Sequence, residues 1–419
     1  MSGLDLKERI LRGLSDEQLG LVEHHLRKRF EQRKSRPGVT IVYDILYQCN
    51  LQCRGCSVSP QYINRHLPIP EGQLRPATAE VETALRKIKT YSEKTGKTCF
   101  VSFGGGEPFL RSDFERIVQM SAELFGSVSV GVDTNGVVEG ELERIEALDP
   151  YFSYIGVSLD GLEDYHNWWR GGQVEGGAFR KTVELLKRLS RNQRVAEKLE
   201  VGSVATRKNI AQLPRLMEFL HDIGIRKYSV HRPMAVGRMQ RIQDLIPDAQ
   251  EFFDLLVSIV ETAHRLGMDS HLHHSIESIY ATLLLGLETH VRDKVGNPDA
   301  GSSLGIEPGG KLVFDPWSMR GLWMRLTGGN LLDPAFDLES ALESDGKSVL
   351  SLARSYTDPR VRCHGCQYAC SGGNRIAAAA RYLGMQNAGN EGLDLTESHI
   401  LRAMIEIDPA CPFYDGNKM

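Results

Sequence analysis

Short apolar runs alternate with helical periodicities over the first two thirds of the chain. Runs rich in β-branched and apolar residues predict six strands, at 39–46, 99–103, 128–132, 154–159, 201–205 and 228–231. Between them, apolar side chains recur every three or four positions and predict helices, most clearly over 179–189. Short apolar strands that alternate with helices indicate a parallel sheet with both faces covered.

Hydrophilic segments follow the predicted strands. A cysteine-containing loop follows the first strand, and polar or glycine-rich segments follow the others, at 104–107, 133–136, 158–161, 206–209 and 231–233. Six strand–helix units fit either a doubly wound sheet or an open barrel. Active-site residues collect at the carboxyl ends of barrel strands, so the polar segments favour the barrel. The predicted fold class is therefore α/β, a partial (β/α)6 TIM-like barrel.

The chain divides into three predicted units. Residues 1–37 are polar and helical, with a Ser-x-x-Gln capping box at Ser15 and Gln18, and form a short N-terminal extension. Residues 38–267 form the barrel. After about Gly267 the alternation stops and Gly, Pro and Asp become frequent. Residues 268–419 are therefore predicted to be a smaller, loop-rich domain held together by its cysteines.

Composition and charge narrow the function. Apolar residues make up 41% of the chain, enough for a buried core. The 50 basic residues are balanced by 54 acidic residues, so no basic excess indicates nucleic-acid binding. The N-terminus has no secretory signal pattern, and the longest apolar stretch, near 279–287, is about half of a bilayer span. These features predict a cytoplasmic protein that binds neither nucleic acid nor a membrane.

Three of the eight cysteines lie close together after the first strand, at Cys49, Cys53 and Cys56. A chain without a secretion signal keeps its thiols reduced, so clustered cysteines indicate metal sites before disulfides. Three thiolates on one loop can hold three corners of a cubane iron–sulfur cluster and leave the fourth iron open. A structural zinc normally takes four protein ligands. A zinc-binding α/β protein is the alternative interpretation.

Together with two later motifs, the C-x3-C-x2-C spacing resembles the radical S-adenosylmethionine (radical SAM) enzymes. The second motif is Gly-Gly-Glu-Pro at 105–108, and the third is Ser-Leu-Asp-Gly at 158–161, followed by His166 and Arg170. The resemblance implies that Cys49, Cys53 and Cys56 ligate a 4Fe–4S cluster whose open iron binds SAM. Reductive cleavage of SAM would then give a 5′-deoxyadenosyl radical that abstracts hydrogen from a substrate. The electron would come from an external donor such as flavodoxin or ferredoxin.

The resemblance also implies a set of SAM contacts. Gly105 and Gly106 would let the backbone approach the ligand, and Glu107 would accept from the methionyl ammonium. Ser158 and Asp160 would bind the ribose, and Arg170 would bind the SAM carboxylate through its planar fork. The ribose or adenine would also contact Asn135 and Thr206. The structural alternatives are a strand-end turn at 105–107, a helix cap or surface pair at Arg170, and ordinary turns at Asn135 and Thr206.

One position departs from the family pattern. The residue before the third cysteine is usually aromatic in radical SAM enzymes, and here it is Gly55. An edge contact to adenine from this position is therefore missing. Trp168 and Trp169 lie beside Arg170 and are expected either to line the substrate site or to pack in the core. Cys99, which begins the second strand, is expected to be a small buried hydrophobe.

A second group of cysteines lies near the end of the chain, at Cys363, Cys366, Cys370 and Cys411. Four thiolates make a closed site for zinc or for a fully ligated 4Fe–4S cluster. The segment resembles the SPASM extension of radical SAM enzymes, which commonly holds two auxiliary clusters, and 300–311 resembles its β-hairpin. The cysteines that would flank the hairpin are absent here, and Asn374 replaces another. We therefore predict one auxiliary 4Fe–4S cluster, with zinc as the alternative.

The sequence indicates the substrate less clearly than it indicates the fold or the cofactors. SPASM-type enzymes often act on ribosomally made peptides, and others act on small molecules such as sugars, cofactors and tetrapyrroles. A peptide, modified by crosslinking, epimerisation or side-chain oxidation, is the leading expectation. The 37 residues before the first strand are too short for a leader-binding domain, so a leader-binding protein would be separate. An iron–sulfur electron carrier and a zinc-stabilised binding protein are the non-enzyme alternatives.

Overall fold

A computed structural model describes residues 6–18, 20, 38–58, 74–171, 174–272, 275–287, 303–313 and 329–343, with seven single positions between 362 and 411. The described strands form one sheet of nine. Their bounds are β1 Gly38–Leu46, β2 Thr98–Gly105, β3 Val130–Thr134, β4 Tyr154–Ser158, β5 Leu199–Val204, β6 Lys227–His231, β7 Asp269–Leu272, β8 Ser303–Ile306 and β9 Leu312–Val313. The strand order is β7-β6-β5-β4-β3-β2-β1-β8-β9.

The α-helices of the described residues lie between and around these strands. Their bounds are α1 Leu6–Gly13, α2 Thr78–Thr95, α3 Phe114–Phe125, α4 Glu141–Leu148, α5 Glu163–Arg170, α6 Ala178–Leu189, α7 Gln193–Ala196, α8 Leu213–Asp222, α9 Ala249–Leu266, α10 Ser275–Leu284 and α11 Leu338–Glu343. Local sequence explains their ends, as in α9: the Asp248 carboxylate accepts from the Glu251 amide at 2.8 Å, and Gly267 closes the helix in the left-handed conformation. None of the described helices has the length and hydropathy needed to cross a bilayer.

The sheet is an unclosed, mainly parallel barrel wall. Strands β1 to β7 follow one another in chain order and pair in parallel, without the reversal of order that marks a doubly wound sheet. Strand β8 pairs in parallel with the other side of β1, and β9 pairs antiparallel with β8. The predicted class, a partial TIM-like barrel, is therefore confirmed.

The helices cover one face of the sheet and leave the other face to the interior of the barrel. On β1, Ile41 and Tyr43 are buried in one core with Leu85 and Ile88 of α2. Side chains alternate along a strand, so the neighbours of these core positions point to the opposite face. On that inner face, the Asp133 carboxylate accepts hydrogen bonds from Ser102 at 3.3 Å and from Tyr154 at 3.1 Å. At this level, the sheet face toward the barrel interior is therefore polar, and the face covered by helices is apolar.

The predicted strands all exist, with shifted ends. The third begins at Val130 rather than at 128, because Ser127–Ser129 forms a 3-10 turn after Gly126. The expectation that the alternation stops at Gly267 is wrong, since β7 and α10 follow and β7 pairs with β6. Gly267 ends a helix and does not end the sheet. The domain boundary at 267/268 stays a prediction.

Two smaller predictions are confirmed. In the capping box, the Gln18 amide donates to the Ser15 hydroxyl at 3.2 Å, and the Ser15 amide donates to the Gln18 side chain at 2.9 Å. The hairpin expected at 300–311 is present, with its second strand just past that range: β8 spans Ser303–Ile306 and β9 spans Leu312–Val313. Its turn ends at Gly310, whose positive φ of 82° suits glycine.

Candidate functional site

The loop of residues 47–58, which we call the cluster loop, crosses the end of β2. The Gly106 amide donates to the Leu46 carbonyl at 2.7 Å, and the Glu107 amide donates to the Gln48 carbonyl at 2.9 Å. A Cβ atom at Gly105 would collide with the Leu46 carbonyl oxygen, and one at Gly106 with the Gln48 carbonyl. The backbone that approaches this glycine pair most closely is therefore the end of β1 and the start of the cluster loop.

The cluster loop is held on its other side by the loop after β6. The Arg238 guanidinium donates to the Cys53 carbonyl at 2.9 Å, and its backbone amide donates to the Cys56 carbonyl at 3.0 Å. Gly237 lies against the same segment, where a Cβ would collide with the Cys56 carbonyl oxygen. Backbone contacts from two separate strand ends thus fix the path of the three cysteines.

The three cysteines of this loop are free thiols, and Cys53 and Cys56 are partly buried. Burial raises the pKa of Cys53 to about 12, against the opposing field of Arg170. Burial also raises the pKa of Cys49, and the Leu51 amide, which donates to its sulfur at 3.4 Å, opposes that shift. Metal binding would deprotonate such thiols and compensate for their desolvation.

The donor set fits a cubane better than a single ion. Among the described residues, no three His, Cys, Asp or Glu side chains converge closely enough to hold one metal ion. In a 4Fe–4S cluster each thiolate binds a different iron, so the ligands stand farther apart than those of one zinc. Three free thiols on one braced loop would supply one ligand to each of three irons and leave the fourth iron open.

Asn135 joins the end of β3 to the cluster loop. Its side-chain amide donates to Asn50 Oδ1 at 2.8 Å and lies 3.8 Å from Cys49 Sγ. Its carbonyl accepts from the Thr182 hydroxyl at 3.0 Å, and its backbone amide donates to Glu107 at 2.8 Å. Asn135 therefore lies beside a predicted cluster ligand, with its orientation fixed on both sides.

Glu107 is buried and its carboxylate is satisfied within the protein. It accepts from the amides of Phe109 and Asn135 and contacts the Thr134 hydroxyl at 3.0 Å. The same hydroxyl lies 2.5 Å from Glu141 Oε1. A hydroxyl has one hydrogen to donate, so two carboxylates can share it only if one of them is protonated. Burial and mutual repulsion raise the pKa of Glu107, and burial raises that of Glu141.

Asp160 and Arg170 form a buried ion pair on the opposite side of the cluster loop. Arg170 Nε donates to Asp160 Oδ2 at 2.6 Å, and Arg170 Nη1 lies 3.7 Å from Cys53 Sγ. The second Asp160 oxygen accepts from the Val204 amide at 2.8 Å. Burial opposes the charge of Arg170, but Asp160 and Cys53 raise its pKa above the usual range. Arg170 therefore reaches a cluster cysteine from a position fixed by Asp160.

His166 and Thr206 brace this ion pair from behind. The Asp160 amide donates to His166 Nδ1 at 3.1 Å, so that nitrogen is unprotonated, and burial lowers the pKa of His166 to about 4. Thr206 exchanges a hydrogen bond of 2.7 Å with Tyr165 and donates to Asn209, whose amide donates to the Asp160 carbonyl. Ser158 ends β4 beside this network and is half-buried.

The space above Gly55 is filled by an aromatic ring. A Cβ at Gly55 would lie 2.5 Å from Cη2 and 2.6 Å from Cζ2 of Trp169, and 3.1 Å from the sulfur of Met239. Trp169 is buried and stacks on Tyr165 with a centroid distance of 6.0 Å. The absence of a side chain at 55 and the presence of Trp169 are therefore complementary. Of the two predicted roles, core packing describes Trp169.

Most predicted residues of the first site lie close together in the structure. Most of the second cysteine group lies outside the described residues. Four of the eight predicted SAM-site residues contact the cluster loop directly: Gly106, Glu107, Asn135 and Arg170. Gly105 lies against the end of β1, and Asp160 and Thr206 are connected to Arg170 by hydrogen bonds, Thr206 by way of Asn209. Ser158 ends β4, two positions before Asp160. Of the second group only Cys411 is described, and it is half-buried. Cys363, Cys366 and Cys370 lie outside the described residues. Cys99 is buried, as expected.

Several supporting residues escaped the sequence analysis. Periodicity places the polar residues of the helix at 141–148 on the surface, yet Glu141 is only 2% exposed. Asn209 and Tyr165 carry no motif of their own, although Asn209 lies in the polar segment after the fifth strand. Arg238 follows the sixth strand in the same way. The sequence shows which residues follow a strand, but it does not show the direction in which their side chains point.

Comparison with known proteins identifies the domain. The radical SAM superfamily model matches residues 43–230. Pre-heme d1 synthase of Dinoroseobacter shibae is 22% identical over 365 residues, which cover 82% of this chain and 83% of the relative. Mycofactocin maturase MftC of Mycolicibacterium smegmatis is 28% identical over 253 residues, 59% of this chain and 58% of the relative. SuiB of Streptococcus suis, crystallised with SAM, superposes with a TM-score of 0.57 at 19% identity, over 84% of this chain and 77% of its own.

Residues 43–230 therefore match the radical SAM superfamily, as the three motifs predicted. The superfamily comprises enzymes that use a 4Fe–4S cluster and SAM. The cluster loop, the glycine pair and the Asp160–Arg170 pair all lie within the matched residues.

Proposed function

We propose that this protein reductively cleaves SAM at a 4Fe–4S cluster held by Cys49, Cys53 and Cys56. The observation that carries the proposal is a braced loop with three free thiols beside the half-buried Arg170. When bound, the cluster and SAM supply the 5′-deoxyadenosyl radical that abstracts hydrogen. The chain binds them, orients them and excludes water from the radical.

Burial divides the predicted SAM residues into two groups. Ser158 and Arg170 are half-buried, and Asn135 lies beside Cys49, so these three are proposed to touch SAM. Glu107, Asp160 and Thr206 are at most 1% exposed, and their polar atoms already have protein partners. We assign them to positioning: Glu107 orients Asn135, and Asp160 with Thr206 orients Arg170.

The C-terminal cysteines are proposed to hold one auxiliary 4Fe–4S cluster. The antiparallel β8–β9 hairpin, which the resemblance to a SPASM extension required, supports this proposal. Four thiolates would close the site at Cys363, Cys366, Cys370 and Cys411. Iron analysis after anaerobic reconstitution should give about eight irons per chain. About four irons with one zinc would instead assign these cysteines to zinc.

We propose a tetrapyrrole of the heme type as the substrate, in place of the peptide that the sequence favoured. The support is coverage: similarity to pre-heme d1 synthase extends over 82% of this chain, whereas similarity to the maturase MftC covers 59%. The first match therefore extends well beyond the radical SAM domain at 43–230. A ribosomally made peptide is the second candidate, supported by the higher identity to MftC, 28%.

Titration with iron and metal-free tetrapyrroles tests the substrate class. Binding should shift the Soret absorbance of the matching tetrapyrrole, and that compound should raise 5′-deoxyadenosine formation above the substrate-free rate. Neighbouring-gene peptides are tested in parallel under the same reductant. Stimulation by a peptide, with no Soret shift from any tetrapyrrole, would overturn the tetrapyrrole proposal in favour of the second candidate.

A further inference from the structure

Two exposed cations lie against one tryptophan beside the cluster loop. Arg54 directly follows Cys53, and its guanidinium lies 4.6 Å from the ring centre of Trp168. Lys208, in the segment after β5, places its ammonium 4.2 Å from the same ring. We call Arg54, Trp168 and Lys208 the basic patch. Contact with an aromatic face holds both charges at defined positions while leaving them at the surface.

The charges of the basic patch are not neutralised by the part of the chain that the structure describes. No described carboxylate lies within ion-pair distance of Arg54 or Lys208, although the whole chain carries a net charge of −4. The neighbouring Arg207 shows the contrast, since it pairs with Glu251 at 2.7 Å and with Asp248 at 3.6 Å. A positive surface on an acidic protein attracts an acidic partner and raises its association rate.

The basic patch is coupled directly to the cluster loop. The Arg54 amide donates to the Trp169 carbonyl at 2.9 Å, and Arg54 Nε donates to the Trp168 carbonyl at 2.9 Å. The next residue of the same helix, Arg170, reaches the Cys53 sulfur at 3.7 Å. A partner seated on the patch would therefore adjoin the loop that carries Cys53.

We propose that the basic patch is the docking surface for an acidic one-electron carrier protein. This inference rests on the proposed function, which requires one electron for each SAM cleaved. The carrier loses one electron and the 4Fe–4S cluster gains it. That electron then enters the sulfonium C–S bond, which breaks to give methionine and the 5′-deoxyadenosyl radical. An anionic substrate is the competing occupant of the patch.

Charge reversal tests the docking surface. The variants are Lys208→Glu, Arg54→Glu and the pair combined, measured in the reconstituted enzyme. Stopped-flow bleaching of the cluster absorbance follows reduction by flavodoxin hydroquinone and, separately, by photoreduced deazariboflavin, a small uncharged reductant. Each reversal should slow reduction by flavodoxin about three- to tenfold at low ionic strength, and high salt should remove the difference. Reduction by deazariboflavin should be unchanged.

Arg215→Glu is the matched control, since Arg215 is exposed on α8 and the same charge change there should leave both rates unaltered. If Arg54→Glu fails to load iron, Lys208→Glu carries the test, because it lies outside the cluster loop. Equal flavodoxin rates in wild type and variants would overturn the proposal. So would slowing with both reductants, or weaker substrate binding with normal reduction, which would assign the patch to the substrate. The readout is cluster reduction, so absence of 5′-deoxyadenosine in wild type would refute the proposed function separately.

Discussion

The two sides of the cluster loop both bury carboxylates, and they stabilise them by different means. On the Cys53 side, Asp160 is charged and paired with Arg170 at 2.6 Å. On the Cys49 side, no described cation forms an ion pair with Glu107 or Glu141, and these two residues meet through one Thr134 hydroxyl. The first side keeps a fixed positive group next to a cluster ligand. On the second side, the raised carboxyl pKa values make the charge behind Asn135 depend on pH.

Removing the cation should have the largest effect. Arg170→Met leaves the Asp160 charge buried without a partner, which costs on the order of 3–5 kcal/mol in the free energy of unfolding. Urea unfolding of the reconstituted protein measures it. The double variant Asp160→Asn/Arg170→Met should recover part of the loss, because the uncompensated charge is gone.

Arg86→Met is the control for this prediction. Arg86 pairs with Glu82 at 2.7 Å on the surface of α2, and such pairs contribute about 0–1 kcal/mol. Equal losses in Arg86→Met and Arg170→Met would mean that burial gives the Asp160–Arg170 pair no special weight.

Adding a ring at Gly55 should destabilise the same side by a smaller amount. In Gly55→Phe the new side chain meets Trp169 and Met239, and overpacking of this kind costs about 1–3 kcal/mol. Thermal unfolding and iron content measure it. If the two positions are complementary, Gly55→Phe should be less harmful in a Trp169→Ala background than in wild type. Additive effects in the double variant would contradict the shared space.

The acid pair should give the Cys49 side a pH-dependent stability. The carboxyl pKa values are raised in the folded state, so this contribution is present at low pH and is lost as the pH rises through the raised pKa. Between about pH 6 and pH 8 the free energy of unfolding should fall by about 1–2 kcal/mol from this source. Glu141→Gln should reduce that slope, because it removes one titrating carboxyl and its repulsion of Glu107 but leaves Glu107 buried.

Glu146→Gln is the matched control for the acid pair, since Glu146 is exposed on the same helix. Its pH slope should equal that of wild type. A slope that survives Glu141→Gln unchanged would show that the pair does not share a proton.

The sequence predicted the site residues that follow the strands, and it missed most of the residues that support them. Motif residues such as Cys49, Glu107 and Asp160 follow predicted strands, and parallel strands bring those ends to one edge. That rule placed them together without any coordinates. It does not say whether a side chain points to the ligand or inward. Glu107 and Asp160 were expected to contact SAM, and both are buried with protein partners.

Long-range contacts explain the rest. Glu141 is 34 positions from Glu107, and no periodicity connects them, yet the Thr134 hydroxyl joins them. The fit of Trp169 over Gly55 is equally non-local. The continuation of the sheet past Gly267 was missed for a different reason: a helix-ending glycine looks the same in sequence whether a strand or a new domain follows.

SAM cleavage itself is the most direct test of the central claim. Wild-type protein, reconstituted and reduced anaerobically with SAM, should form 5′-deoxyadenosine and methionine. The triple variant Cys49→Ala/Cys53→Ala/Cys56→Ala should form none, while Cys99→Ala, which removes a buried thiol outside the cluster loop, should remain active. Formation of 5′-deoxyadenosine by the triple variant, or its absence from an iron-loaded wild type, would contradict the account.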